Sequence, residues 1–225
     1  MTRIIMLIFM LTLGAQAHSR EILLTTENTV SIKGAINKSS VNGAINDLIK
    51  LVNFRESNSP IYIVLNSPGG SVIDGLRLID FANTFENIHT VCMFCASMAH
   101  GISQGIKGTR YATKRNLMMA HRAKGGFRGQ FETGEVESQL RVFKALIRSL
   151  EQQNADRIGI SLKSYKEKVR NEWWTFGQES VDQNVVDKTV DLKCSMELIN
   201  KQVESTQMTL FGPVKGPLVS ACPIT

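Results

Sequence analysis

Apolar positions along this chain change their period several times, and each change marks an element. Val41, Ile45, Leu48 and Val52 recur at three- and four-residue spacing behind Ser39 and Ser40. Residues 41–53 therefore read as an amphipathic helix with hydroxyl caps. A polar loop, 54–60, follows. Ile61-Tyr62-Ile63-Val64-Leu65 is a continuous, β-branched and aromatic run, as expected of a strand buried on both faces of a parallel sheet. Pro68-Gly69-Gly70 ends it. Leu76 and Ile79 belong to a helix expected to close near Asn87, and His89 to Phe94 is a second strand. From Ser97 the small residues Ala96, Ala99 and Gly101 allow a helix to pack closely, and 117–120 is a third strand. Val136, Leu140, Phe143, Ile147 and Leu150 mark a long helix with a charged outer face. Ser161 caps another helix reaching Val169, and 179–186 is a short helix leading to a last strand near 185–190. Gly212, Pro213, Gly216, Pro217 and Pro223 predict an extended or disordered tail over 204–225.

Strands alternating with helices imply an α/β fold with a mainly parallel sheet and right-handed crossovers. Sites in such sheets gather at the carboxyl ends of the strands. Gly70, Ser97 and His121 each lie just past such an end.

Composition changes this picture at the termini. The 225 residues suffice for one domain. Arg3, the apolar run from Ile4 to Leu13, and Ala15-Gln16-Ala17 form an export leader with a cleavage site. The expected organisation is a signal peptide over 1–17, one catalytic domain over 18–203, and the tail. The expected location is the periplasm or outside the cell. A net charge of +6 raises nucleic acid as a partner, but no aromatic-and-basic ladder, zinc-finger spacing or recognition helix accompanies it, so no nucleic acid is expected. Between Glu86 and Glu132 there is no acidic residue, whereas Lys107, Arg110, Lys114, Arg115, Arg122, Lys124 and Arg128 fall there with Ser97 and His121. This is either a solvated basic face or a field favouring acidic substrate groups. Export permits disulfides. Cys194 and Cys222 are the candidate pair; Cys92 and Cys95, three apart on a strand, should point to opposite faces and not pair.

Ser97 and His121 carry the candidate chemistry. A serine hydroxyl attacks only when a base takes its proton, and histidine is the usual base. Ser97 stands where a strand becomes a helix, so a helix N-terminus faces any negative charge developing there. The N–H groups of Gly70 and Met98 are the candidate oxyanion donors. Each residue also has a plainer reading: a serine there is commonly a cap, and a histidine after an apolar strand is commonly a packing residue.

From about Val30 to Val190 the chain resembles the proteolytic subunit of the Clp protease, within the wider Clp/crotonase superfamily. The likeness rests on Ile32-Lys33-Gly34-Ala35-Ile36 as first strand and Ile63-Val64-Leu65-Asn66-Ser67-Pro68-Gly69-Gly70 as oxyanion loop. It rests equally on Cys95-Ala96-Ser97-Met98-Ala99 around the nucleophile, and on Met119-Ala120-His121 with Gly125-Gly126-Phe127-Arg128-Gly129-Gln130. The resemblance implies repeated β-β-α units and a protruding handle helix, 135–150, that joins homo-oligomeric rings. It implies a serine endopeptidase with no cofactor and no metal, binding peptide as an added strand between Ser71–Val72 and the segment Gly125, Gly126, Phe127.

Three departures qualify it. The third catalytic residue is not plain: Glu172 falls where the family has an aspartate, with Asn171 as alternative, while Asp182 and Asp187 look like surface residues. Export would separate the chain from any ATP-driven unfoldase, so no ATPase partner is expected, only small peptides or unfolded proteins as substrate. The tail has no counterpart. The Trp173-Trp174 pair reads as core or subunit packing. The competing readings are a ring-forming scaffold or peptide-binding module whose triad has decayed, and an acyl-thioester enzyme of the crotonase type. A Ser–Lys dyad using Lys107, Lys114 or Lys124 is a further variant.

Overall fold

The computed structural model describes residues 20–56, 58–124, 132, 134–209 and 212–225; the expected leader lies outside them. The strands are β1 (Arg20–Leu24), β2 (Thr29–Lys33), β3 (Ile61–Ser67), β4 (Ile88–Ala96), β5 (Arg110–Ala120), β6 (Trp173–Phe176), β7 (Lys188–Cys194), β8 (Gln202–Thr209) and β9 (Gly212–Ser220). The helices are α1 (Lys38–Phe54), α2 (Val72–Ala82), α3 (Met98–Gly105), α4 (Glu135–Ile158), α5 (Leu162–Lys168), α6 (Glu179–Asp182) and α7 (Met196–Asn200). One sheet runs β1-β7-β5-β4-β3-β2, every neighbour parallel, with β6 added antiparallel to β5. This is the α/β, mainly parallel architecture that the alternation of periods implies.

The sheet has an apolar core on each face. Helices α1 to α5 cover one, through residues such as Leu48, Leu78, Ile102, Ile158 and Tyr165 packed on Ile63, Leu65 and Cys92. The other is smaller: Tyr62, Val64, Val91, Tyr111 and Val190 lie under Leu198 and Cys222. Both faces of β3 are buried, hence its unbroken apolar run. The early part of α4 stands away from the body, with Val136 and Val142 exposed; its buried residues are Asn154, Ala155 and Ile158. Among the described residues no helix is long and apolar enough to cross a membrane.

Several boundaries differ from expectation, each for a local reason. Helix α1 starts earlier because Asn37 is the cap, its side chain accepting from Ser39 and Ser40 while the Ser40 hydroxyl accepts from the Asn37 N–H. Helix α2 stops at Ala82, where the Asn83 side chain bonds Gly105 O and Lys107 N rather than prolonging the helix. The first strand of the family pattern is shifted: β2 ends at Lys33, and Ile36 forms only an isolated bridge to Gly70. Strand β5 begins at Arg110, seven residues before the apolar run, because Tyr111 and Ala112 pair with both β4 and β7. The chain after Lys201 is extended as the β8–β9 hairpin, and a Cys194–Cys222 disulfide ties its far end to β7.

The second cysteine pair corrects the sequence reading. Cys92 and Cys95 are bonded, with Cα atoms 5.7 Å apart. A bulge at Met93 makes the difference: Leu65 pairs with Cys92 and Asn66 with Phe94, so one residue of β4 is skipped. The extra residue turns Cys95 to the helix-covered face that Cys92 already occupies.

Asp187 is likewise not a plain surface residue. It accepts from the backbone N–H of Arg110 at 2.7 Å and from its guanidinium at 2.5 Å. Arg110 also donates to Gln104 and to Asn184, tying β5 to α3 and to the approach to β7. Burial would raise the Asp187 carboxyl, but the hydrogen bonds and charge of Arg110, with the charge of Arg157, hold it below the usual carboxylate range. Arg110 and Lys114, the latter paired with Asp191 at 2.7 Å, are thereby withdrawn from the basic interval around the site.

His100, one turn into α3, is buried with neither ring nitrogen partnered among the described residues. Desolvation, with the charge of Arg110, pushes its pKa down from 6.5 to about 3. The unfolded chain therefore takes a proton as pH falls through 6.5 while the folded chain does not, and stability drops toward pH 3. Urea unfolding across that interval should show wild type losing about 1.4 kcal/mol per pH unit from this group. A His100→Leu variant should lose correspondingly less; parallel curves for the two proteins would refute it.

Candidate active site

Three carboxyl ends of the sheet converge here, as the strand-end argument requires. Ser97 follows β4 and precedes α3, and His121 follows β5. The backbone at Ser97 is unusual for a non-glycine residue, with φ 54° and ψ −118°. Such conformations cost on the order of 1–3 kcal/mol and persist only where neighbours enforce them. Two contacts do so. The Ser97 N–H donates to Met119 O at 2.8 Å, and Gly69 lies directly against it. A Cβ at Gly69 would stand 2.6 Å from Ser97 Cβ and 2.7 Å from Ala96 O. Gly69 itself sits at φ +96°, so the Gly-Gly turn is needed for both its shape and its thinness.

The Ser97 side chain makes no cap hydrogen bond to α3. Its Oγ lies 2.7 Å from His121 Nε2. With the ring proton on Nδ1, Nε2 accepts the hydroxyl hydrogen, the geometry a general base requires. The plain cap reading of Ser97 therefore does not describe it. Met98 opens α3, so its N–H has no partner within the helix. Gly70 is held in place by flanking bonds, Ile36 N–H to Gly69 O and Ser71 N–H to Ile36 O, both 2.8 Å. Met98 directly follows Ser97, and Gly70 directly follows the Gly69 that packs against Ser97.

The other expected residues are distributed unevenly. Ser71 caps α2 through Asp74 N–H and spends its own N–H on Ile36 O; Val72 lines the cavity beside Ser97. Gly125, Gly126 and Phe127 lie outside the described residues. Glu172 is exposed at φ 70°, its carboxylate accepting from Trp174 Nε1 at 3.0 Å rather than from His121. Among the described residues nothing accepts from His121 Nδ1. The antiparallel β5–β6 ladder ends at Ala120–Trp173, so His121 and Glu172 each lie one residue beyond it and are not paired by it. Asn171 ends a 3-10 turn, Val169–Asn171, and is exposed. Trp173 packs in the core and Trp174 is half exposed. Among the described residues no three His, Cys, Asp or Glu side chains gather as metal ligands would.

A small cavity of about 30 Å³ opens beside the Ser97–His121 pair, bounded by Val72, Ile147, Leu150, Glu151, Asn154 and Tyr165. Asn154 donates to the Tyr165 hydroxyl at 3.0 Å. Burial raises that phenol to about 12, with the Asn154 bond opposing and the Glu151 charge adding, so it stays protonated. Sequence reading missed this wall. The signal was present: Asn154 extends the stripe Phe143, Ile147, Leu150 by one further helical step, a polar residue on a buried face.

Comparison with known proteins gives the family. A family model described as Clp protease matches residues 14–193. The "ATP-dependent Clp protease proteolytic subunit 1" of Prochlorococcus marinus subsp. pastoris is 32% identical over 154 residues, covering 66% of this chain and 78% of that protein. The "ATP-dependent Clp protease proteolytic subunit 2" of Parasynechococcus marenigrum is 30% identical over 184 residues, covering 79% and 90%.

The contact between Gly69 and Ser97 yields a direct test. Gly69→Ala should leave the far-ultraviolet circular dichroism unchanged while slowing fluorophosphonate labelling of Ser97 about a hundred-fold, the usual effect of a misplaced reactive group. Labelling at the wild-type rate would show that the close approach is not needed.

Proposed function

The chain belongs to the Clp protease family, a family of serine peptidases, and we propose that it is an exported endopeptidase cutting small or already unfolded peptides without an ATP-driven partner. The observation that carries the chemistry is the 2.7 Å contact of a strained, uncapped Ser97 with His121. His121 Nε2 takes the hydroxyl proton as Oγ attacks the peptide carbonyl. The N–H groups of Gly70 and Met98 receive the developing oxyanion, each worth ~3 kcal/mol of barrier. The imidazolium then protonates the leaving amine, and the same nitrogen activates the water that releases the acyl group. Glu172 is the third member: its carboxylate turns from Trp174 Nε1 to His121 Nδ1.

Peptide lies as an extended strand along the edge at Val72, so recognition is largely main-chain. The protruding part of α4, with Val136, Leu140 and Val142 exposed, supports assembly into rings through the handle. Export is supported by the leader-like residues 1–17 and by two disulfides, which persist in oxidising compartments. Independence from ATP follows from that location. One observation favours the scaffold reading instead: Glu172 is engaged by Trp174, which leaves His121 without its acid.

A fluorophosphonate should label purified wild type but neither Ser97→Ala nor His121→Ala. An assembled wild type that takes no label would hand the protein to the scaffold reading. Peptide turnover should be unchanged when an unfoldase and ATP are added. Strong stimulation would overturn the partner-free part while leaving the hydrolase intact.

A further inference from the structure

We infer that the open edge of β2 is a second polypeptide-binding site, which takes an extended acidic segment as an added strand. It shares no lining residue with the cavity beside Ser97. Its use as an anchor for substrate rests on the hydrolase reading; the binding itself does not. Strand β2 ends the sheet. In a parallel pair alternate residues turn both backbone groups to the neighbour, and the residues between turn theirs away. The phase is fixed at both ends: Asn28 O accepts from Tyr62 N–H at 2.8 Å, and Gly34 N–H donates to Asn66 O at 3.0 Å. Thr29, Ser31 and Lys33 therefore turn their N–H and C=O groups outward, and no hydrogen bond among the described residues takes them up. The complement of such a row is the main chain of another strand.

A groove of about 540 Å³, the size of a ligand site, lies at this edge. Thr29, Ser31 and Lys33 line it, with Asp47 of α1 and with Val203 and Ser205 of β8. Ser31 and Lys33 are exposed, so an incoming chain reaches them. Sheet edges are normally guarded by charge, proline, a bulge or a cover. At the other end of the sheet β1 has such a guard, Glu21 paired with Lys193 at 2.7 Å. Strand β2 reads Thr-Val-Ser-Ile-Lys, without proline, and pairs with β3 without a register shift. Its single charge, on Lys33, is held to the carbonyls of Cys222 and Thr225, both at 3.3 Å. Charge then selects the occupant. Asp47 is paired with Lys50 at 3.3 Å and Glu204 with Lys215 at 2.9 Å, whereas Lys201, also lining the groove, has no ion-pair partner among the described residues. An acidic side chain on the added strand supplies one.

The experiment uses the full chain with Ser97 capped by fluorophosphonate, which blocks the catalytic edge. A fluorescent short peptide of alternating threonine and glutamate is titrated in and followed by anisotropy, beside a threonine–lysine counterpart. The acidic peptide should bind saturably and the basic one should not. Ser31→Pro removes one outward N–H without touching the β2–β3 ladder, and should weaken binding about ten-fold. Lys201→Glu should weaken it about five-fold. No saturable binding, equal affinity for the two peptides, or wild-type affinity in both variants overturns the inference. So does a fall in solution mass of Ser31→Pro, which would mean that a second copy of this chain occupies the edge. If wild type takes no fluorophosphonate, the hydrolase reading falls, and the same titration on Ser97→Ala decides this one. If Ser31→Pro does not fold, Lys201→Glu and the basic peptide decide.

Discussion

The whole site depends on one close approach of backbone to backbone. Gly69 lies where any side chain would collide with Ser97 and Ala96, and that contact, with the bond from Ser97 N–H to Met119 O, holds the serine at positive φ. The strain keeps the hydroxyl off the helix it begins. A serine with ordinary cap geometry would turn its oxygen to the N–H groups of α3; this one turns it to His121. The same turn sets Met98 N–H at the head of a helix whose dipole favours negative charge. The positive φ of Ser97, its contact with His121 and the placing of Met98 N–H at the head of α3 are thus consequences of a single steric arrangement at adjacent strand ends.

That arrangement needs a stiff support, and the sheet supplies it from both sides. On the helix-covered face the buried Cys92–Cys95 pair sits two residues before Ser97, at a bulge. Below it, Arg110 and Asp187 connect β5 with α3 and with the approach to β7. On the opposite face, α7 and the end of β9 close over Tyr62 and Val64, and the Cys194–Cys222 bridge holds them there. This second cover lies beyond residue 193, where the family model stops. Ser97 and His121, by contrast, lie within the matched span.

Much of this was legible in the order of residues. The run Ile61–Leu65 declared a doubly buried strand, because only a parallel interior strand tolerates five consecutive apolar side chains. The spacing in α4 declared a long helix from Glu135, but the structure carries it to Ile158, about two turns past the expected end at Leu150. Ser97, His121 and the Gly-Gly turn could be named because strand ends in a parallel sheet share one edge. Strand β6 was hidden: Trp173–Phe176 is too short and too aromatic to separate from a core packing motif. The bulge at Met93 was hidden as well, since nothing in Cys-Met-Phe-Cys tells a regular strand from one that skips a residue.

By itself, then, the sequence determined the alternation of elements, the parallel sheet and which side chains stand at the carboxyl ends of its strands, because these follow from local periodicity and from where glycine is tolerated. Only the tertiary structure decided what those side chains touch. Periodicity gives each residue a face but not a register. The bulge that lets Cys92 meet Cys95, the grip of Asp187 on Arg110 and the bond of Asn154 to Tyr165 all depend on how segments pair and pack. Such contacts are set by packing of the whole core.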